Sequence, residues 1–119
     1  MILICDYGLT APAPKMVKVR PVVVVSPRRR VGSIVTVVPL SSVAPVPPLP
    51  WHHLIPPGVY PPARGPMWAK CDMVAAVSAS RLDRVKVVAA GVREYHTFTM
   101  PSVDLEAILQ GVLVALGRR

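Results

Sequence analysis

Residues 18–42 read KVRPVVVVSPRRRVGSIVTVVPLSS. Arg20–Ser26 is rich in β-branched valine and apolar at alternating and intervening positions alike. That pattern suits a central strand buried on both faces. Pro27–Gly32 breaks the run and carries Arg28, Arg29 and Arg30, so it reads as a turn. Ser33–Leu40 is the return strand, with Pro39 near its end, where a missing backbone donor costs least. The two segments form an antiparallel hairpin with a basic tip. Arg20 enters its strand from a polar loop, so its guanidinium should emerge at the rim of the sheet. Ser41 and Ser42 end the next strand and should lie near the same rim.

Outward from this hairpin, Met1–Tyr7 is a further short strand, and Gly8–Lys18 is a loop whose Pro12 and Pro14 cannot pair inside a sheet. Pro45–Pro66 holds nine prolines and one formal charge, Arg64, and should have little regular structure. Trp51, His52, His53 and Tyr60 decorate it, either as a ligand-contact lid or as plugs for the core. Met67–Val77 resumes strand character, and Ser78–Arg84 is a turn or short helical piece capped by Ser78 or Ser80. Val85–Ala90 and Glu94–Thr99 form a strand pair around Gly91. At the end, Leu105, Ile108, Leu109, Val112, Leu113 and Leu116 recur at helical spacing. Pro101–Ser102 starts that helix, Asp104 and Glu106 sit in its first turn, and Gly117 ends it beside Arg118 and Arg119. Strands first and one terminal helix make a mainly β fold, a small barrel or twisted sheet with a helix packed against it.

Composition narrows the function. The 119 residues fit one domain, and 52% hydrophobic residues against 17% charged ones argue against disorder. A formal charge of +8 points to nucleic acid or another acidic partner, the alternative being a basic protein with no such ligand. Cys5 and Cys71 stand far apart and read as free thiols in a reducing cytoplasm. No apolar run approaches the ~20 residues that span a bilayer.

The motifs exclude more than they offer. Cys5, Cys71, His52, His53 and His96 lack the paired spacing of zinc sites, and there is no phosphate loop, GxSxG elbow or dinucleotide fingerprint. No cofactor or metal is expected. What remains is an arginine beside a hydroxyl. A planar, permanently charged fork can hold two nonbridging phosphate oxygens and stabilise charge as it develops. RNA carries its own nucleophile, the 2′-hydroxyl, so an enzyme that cuts it needs mainly positioning and charge. The competing reading is a rim arginine bonded to carbonyls and a serine that merely ends a strand.

A strand, a loop, RPVVVVSP, a hairpin to TVVPLSS, then WAKCDMVAAVSASRLDR and an amphipathic terminal helix resemble the PemK/MazF (Kid) family over nearly the whole chain. These are toxins of type II toxin–antitoxin systems. The resemblance implies an SH3-like small barrel of the MazF/CcdB kind with a C-terminal helix. It also implies a homodimeric, ribosome-independent endoribonuclease that cuts single-stranded RNA and is neutralised by a cognate antitoxin. By the same resemblance Arg20 and Ser41 are catalytic, with Ser42 as the fallback hydroxyl. Cleavage would leave a 2′,3′-cyclic phosphate and a 5′-hydroxyl. Lys18, Pro21, Arg28, Arg29, Arg30, Ser42, His52 and His53 are the candidate RNA contacts. Two features depart from the family: its G-D opening and GSEQ-like stretch are replaced by Gly8–Lys18, and Pro45–Pro66 is longer than the usual connection. The alternative on the same fold is a non-catalytic binding protein or a CcdB-like poison of DNA gyrase.

Overall fold

The computed structural model describes residues 1–7, 19–26 and 33–118. The loop expected at 8–18 and the basic turn at 27–32 lie outside these residues. The expected hairpin is the centre of the fold. Strand β2 (Val19–Val24) lies between β1 (Ile2–Asp6) and β3 (Ile34–Ser41), antiparallel to both. Both faces of β2 are also covered by apolar clusters, which is why valine fills every position from 22 to 24. Val23 and Val38 pack on one side of the sheet and Val22 and Val37 on the other, all four fully buried.

The outer edge of β3 is shared. Leu40 and Ser41 pair with β5 (Met67–Lys70), whereas Ile34–Val37 pair with β6 (Ala75–Ser78). Between β5 and β6 a 3-10 turn at Cys71–Met73 takes the chain out of the ladder. The strand expected over Met67–Val77 is therefore two strands with a bend between them. A second difference lies in the proline-rich segment, where little regular structure was expected. His52–Ile55 forms β4 and pairs along the whole of β5. The four residues His-His-Leu-Ile contain no proline, so each can join a ladder even though prolines flank them on both sides.

From β6 a second 3-10 turn, Ala79–Arg81, returns the chain to the far side of the sheet. As expected, Ser78 caps it, its Oγ accepting from the Ser80 N–H at 3.4 Å. The turn delivers β7 (Leu82–Asp83) to the outer edge of β1. The sheet thus runs β4-β5-β3-β2-β1-β7, with β6 on β3, and curls toward a barrel without closing. Inside the curl, Cys5, Val22, Val37 and Val77 form a small core, flanked by Tyr7, Val24, Val35 and Leu82. A separate hairpin, β8 (Val85–Ala89) and β9 (Val92–His96), follows. Its two-residue loop, Ala90–Gly91, has φ of 52° and 78°. Positive φ at both positions is what a two-residue hairpin turn demands, and glycine takes the second at no steric cost.

Helix α1 (Ser102–Ala115) covers the other face of the sheet. Ile108 is fully buried there with Ile2, Val23, Leu40, Ala69 and Cys71, and Leu105 and Val112 pack beside it. Leu113 and Leu116, expected on this face, are 41% and 66% exposed. The helix needs a narrower apolar stripe than its leucines supply. Gly111 fixes how close it comes: a Cβ there would sit 2.8 Å from Cys71 Sγ and 3.2 Å from the Trp51 carbonyl oxygen. Gly117 ends the helix, its N–H donating to the Val114 carbonyl at 2.9 Å. No helix among the described residues is long and apolar enough to cross a membrane.

Candidate functional site

The sheet register sets the two expected residues at the same end of neighbouring strands. Arg20 stands opposite Cys5 on β1. On its other side, Val22 pairs with Pro39, and continuing that register by two residues sets Arg20 abreast of Ser41. Ser41 in turn faces Trp68 on β5, and Trp68 faces Leu54 on β4. Directly opposed residues project to the same face of a sheet. In these strands the neighbours Val23, Leu40, Met67, Ala69 and Ile55 belong to the core beneath the helix. Side chains alternate, so Arg20, Ser41, Trp68 and Leu54 form one row on the face away from the helix.

Arg20 is half-buried, and its Nε is sealed from solvent with no hydrogen-bond partner among the described residues. The Tyr7 hydroxyl is in the same condition. Tyr7 follows Cys5 by two residues on the Arg20 side of β1 and packs into the small core with it. Burial, reinforced by the neighbouring Cys5, pushes the Tyr7 phenol up to about 12, against the opposing pull of the Arg20 charge. Orphaned buried polar groups are uncommon, because each costs about 1–3 kcal/mol. Two on one face, one of them a cation, mark a place where stability yields to another requirement. Ser41 is only 7% exposed. Its Oγ accepts from the Val43 N–H at 3.1 Å, which orients the hydroxyl and leaves its proton to be donated elsewhere. Ser42, one residue on, is exposed.

The remaining expected contacts separate. His52 and His53 are adjacent on a strand and point to opposite faces. His53 Nε2 meets Asp104 Oδ1 at 2.9 Å, tying β4 to the first turn of α1. His52 lies on the Arg20 face, opposite Lys70, and its Nδ1 accepts from the Leu49 N–H at 3.0 Å. Pro21 is half-buried and pairs with Ile4, fixing the backbone just beyond Arg20. Lys18, Arg28, Arg29 and Arg30 lie outside the described residues. Among the described residues no three metal-binding side chains gather. The connection from β4 to β5 walls a cavity of about 460 Å³, lined by Leu54, Pro57, Tyr60, Arg64 and Met67 among others. Leu54 therefore belongs both to the row and to this cavity.

Tyr7, Trp68 and Lys70 also lie on this face, and no motif in the sequence singles them out. The alternation in MWAK, with Met67 and Ala69 buried and Trp68 and Lys70 half-exposed, was there to be read as a two-faced strand. Their neighbourhood with Arg20 was not, because it depends on which strand β5 pairs with.

Residues 1–108 match the family model described as PemK-like, MazF-like toxin of type II toxin–antitoxin system. Solved structures agree in fold. An endoribonuclease in complex with its cognate antitoxin, from a mycobacterial species, superposes with a TM-score of 0.65 at 19% identity, covering 98% of this chain and 90% of its own. The Mycobacterium tuberculosis toxin MazF-mt6 gives 0.64 at 17% identity, covering 99% and 97%. No curated protein sequence matches the chain.

Proposed function

The chain belongs to the PemK-like, MazF-like toxins of type II toxin–antitoxin systems, and we propose that it is an endoribonuclease cutting single-stranded RNA at the Arg20–Ser41 centre. The observation that carries this reading is a half-buried, permanently charged fork abreast of an oriented hydroxyl on a face that also bears lysine and tryptophan. The two solved folds described above carry names of the same sense, endoribonuclease and MazF toxin.

The 2′-oxygen of the RNA attacks the adjacent phosphorus, and the bond from phosphorus to the 5′-oxygen breaks. The 2′-oxygen loses a proton and the departing 5′-oxygen gains one. The products are a 2′,3′-cyclic phosphate and a 5′-hydroxyl. Arg20 holds nonbridging oxygens and stabilises the charge that builds on them, where partial burial strengthens the interaction over its value in water. Ser41 donates its free O–H to the same group. Arginine stays protonated throughout, so its part is electrostatic. A protein of charge +8 also suits an acidic antitoxin, the partner that the family description implies.

The end chemistry tests the reading. Incubated with a long single-stranded transcript, the protein should give fragments whose 5′ ends accept phosphate from polynucleotide kinase without prior dephosphorylation. Their 3′ ends should resist extension until the cyclic phosphate is opened and the resulting phosphate is removed. Fragments bearing 5′-phosphates would overturn it, as would an intact transcript with stalled DNA gyrase in its place.

A further inference from the structure

We infer that Trp68, with Lys70 and His52 beside it, is a base-stacking platform for the nucleotide next to the scissile phosphate. The inference rests on the proposed RNA cleavage at Arg20. Trp68 pairs with Ser41, and the β2–β3 register continued two residues past Val22–Pro39 sets Arg20 on the far side of Ser41 in the same row. Neighbouring strands lie ~4.8 Å apart, so the backbone positions of Trp68 and Arg20 are about 10 Å apart, a separation that the adjoining nucleotide of an extended strand can bridge.

The surroundings fit a nucleic-acid strand better than a core. Met67 and Ala69, on either side of Trp68, are 8% and 0% exposed and belong to the apolar cluster under the helix. Trp68 is instead half-exposed, on the sheet face opposite that cluster. Lys70 and His52 face each other in the next row but one along the same strands, also half-exposed and on the same side. The face thus presents Arg20, an aromatic surface and further basic groups in one sweep, with no acidic side chain in the paired positions of β2, β3, β4 and β5. An aromatic plane within a positive groove is how single-stranded nucleic acid is held without reading sequence, because every base has a π-face. A protein ligand for the same surface would need acidic groups but no planar ring.

The test uses a fluorescein-labelled, random-sequence single-stranded 2′-O-methyl RNA, which lacks the attacking hydroxyl and stays intact. Anisotropy should show Trp68→Ala weakening binding by about 5- to 150-fold, the range expected for one stacked base. Trp68→Phe should restore most of the affinity, and Lys70→Ala should flatten the salt dependence by ~0.7 in log–log slope, as for one lost phosphate contact. Tryptophan emission should be quenched on binding in the wild type and much less in Trp68→Phe. If Trp68→Ala does not fold, Trp68→Gln serves the same comparison. Equal affinity of wild type and a folded Trp68 variant overturns the platform. Tryptophan-dependent binding by a wild type that cuts no RNA leaves the platform standing and overturns the cleavage reading. Cleavage that is indifferent to Trp68 does the reverse.

Discussion

At the scale of single residues, the proton balance of the fold is legible in Tyr7 and Cys71. Burial pushes the Cys71 thiol from its ordinary 9.0 to about 11, with Asp72 adding to the effect, and the Tyr7 phenol from 10.0 to about 12. The folded protein holds these two protons more tightly than the unfolded chain does. The resulting stability is fully present below pH 9 and is lost as pH rises toward 11 and 12. Urea unfolding midpoints should therefore fall steadily above pH 9, and Tyr7→Phe should remove the upper part of that decline. A midpoint flat from pH 9 to 11 would contradict the burial of both groups. Cys5 and Cys71 were legible as free thiols from their separation in sequence, and both are free and buried. The orphaned Tyr7 hydroxyl was not, since only the fold shows that it is buried without a hydrogen-bond partner among the described residues.

At the scale of elements, the valine run and the terminal helix carry their own instructions. Four valines flanked by proline admit little except a buried strand, and the leucine spacing with Gly117 admits little except a helix. The proline-rich stretch misleads for a physical reason. Composition averages over the segment, whereas β4 needs only the four proline-free residues His52–Ile55 and a partner edge supplied by β5. Gly111 is a related case. In sequence it interrupts an apolar stretch, and in the fold it is the contact that lets α1 lie against Cys71 and Trp51. Its neighbours are a buried thiol and a backbone carbonyl, neither free to swing away. Gly111→Ala should cost about 1–3 kcal/mol through overpacking, despite alanine's better helix propensity. Chemical denaturation checks it; a variant as stable as the wild type would mean that the helix is free to slide.

At the scale of the whole molecule, the sheet separates two tasks. The face under α1 holds most of the fully buried side chains, and His53–Asp104 fastens the helix to it. The opposite face holds the small core inside the curl and, beyond its rim, the row from Arg20 to Leu54. Arg20 and Ser41 could be placed near one rim from sequence because they stand near like ends of the two strands of one hairpin. The neighbourhood of Trp68 with Ser41 was not legible, because Trp68 comes 27 residues after Ser41 and reaches it only through the β3–β5 register. Arg20 carries the proposed cleavage most directly. Single-turnover cleavage of a labelled single-stranded RNA by Arg20→Ala, with folding verified by circular dichroism, is the decisive measurement. The rate should fall by a factor on the order of 100–1,000 or more, as for the loss of a principal charge-stabilising donor. Wild-type cleavage by a folded Arg20→Ala protein would contradict it.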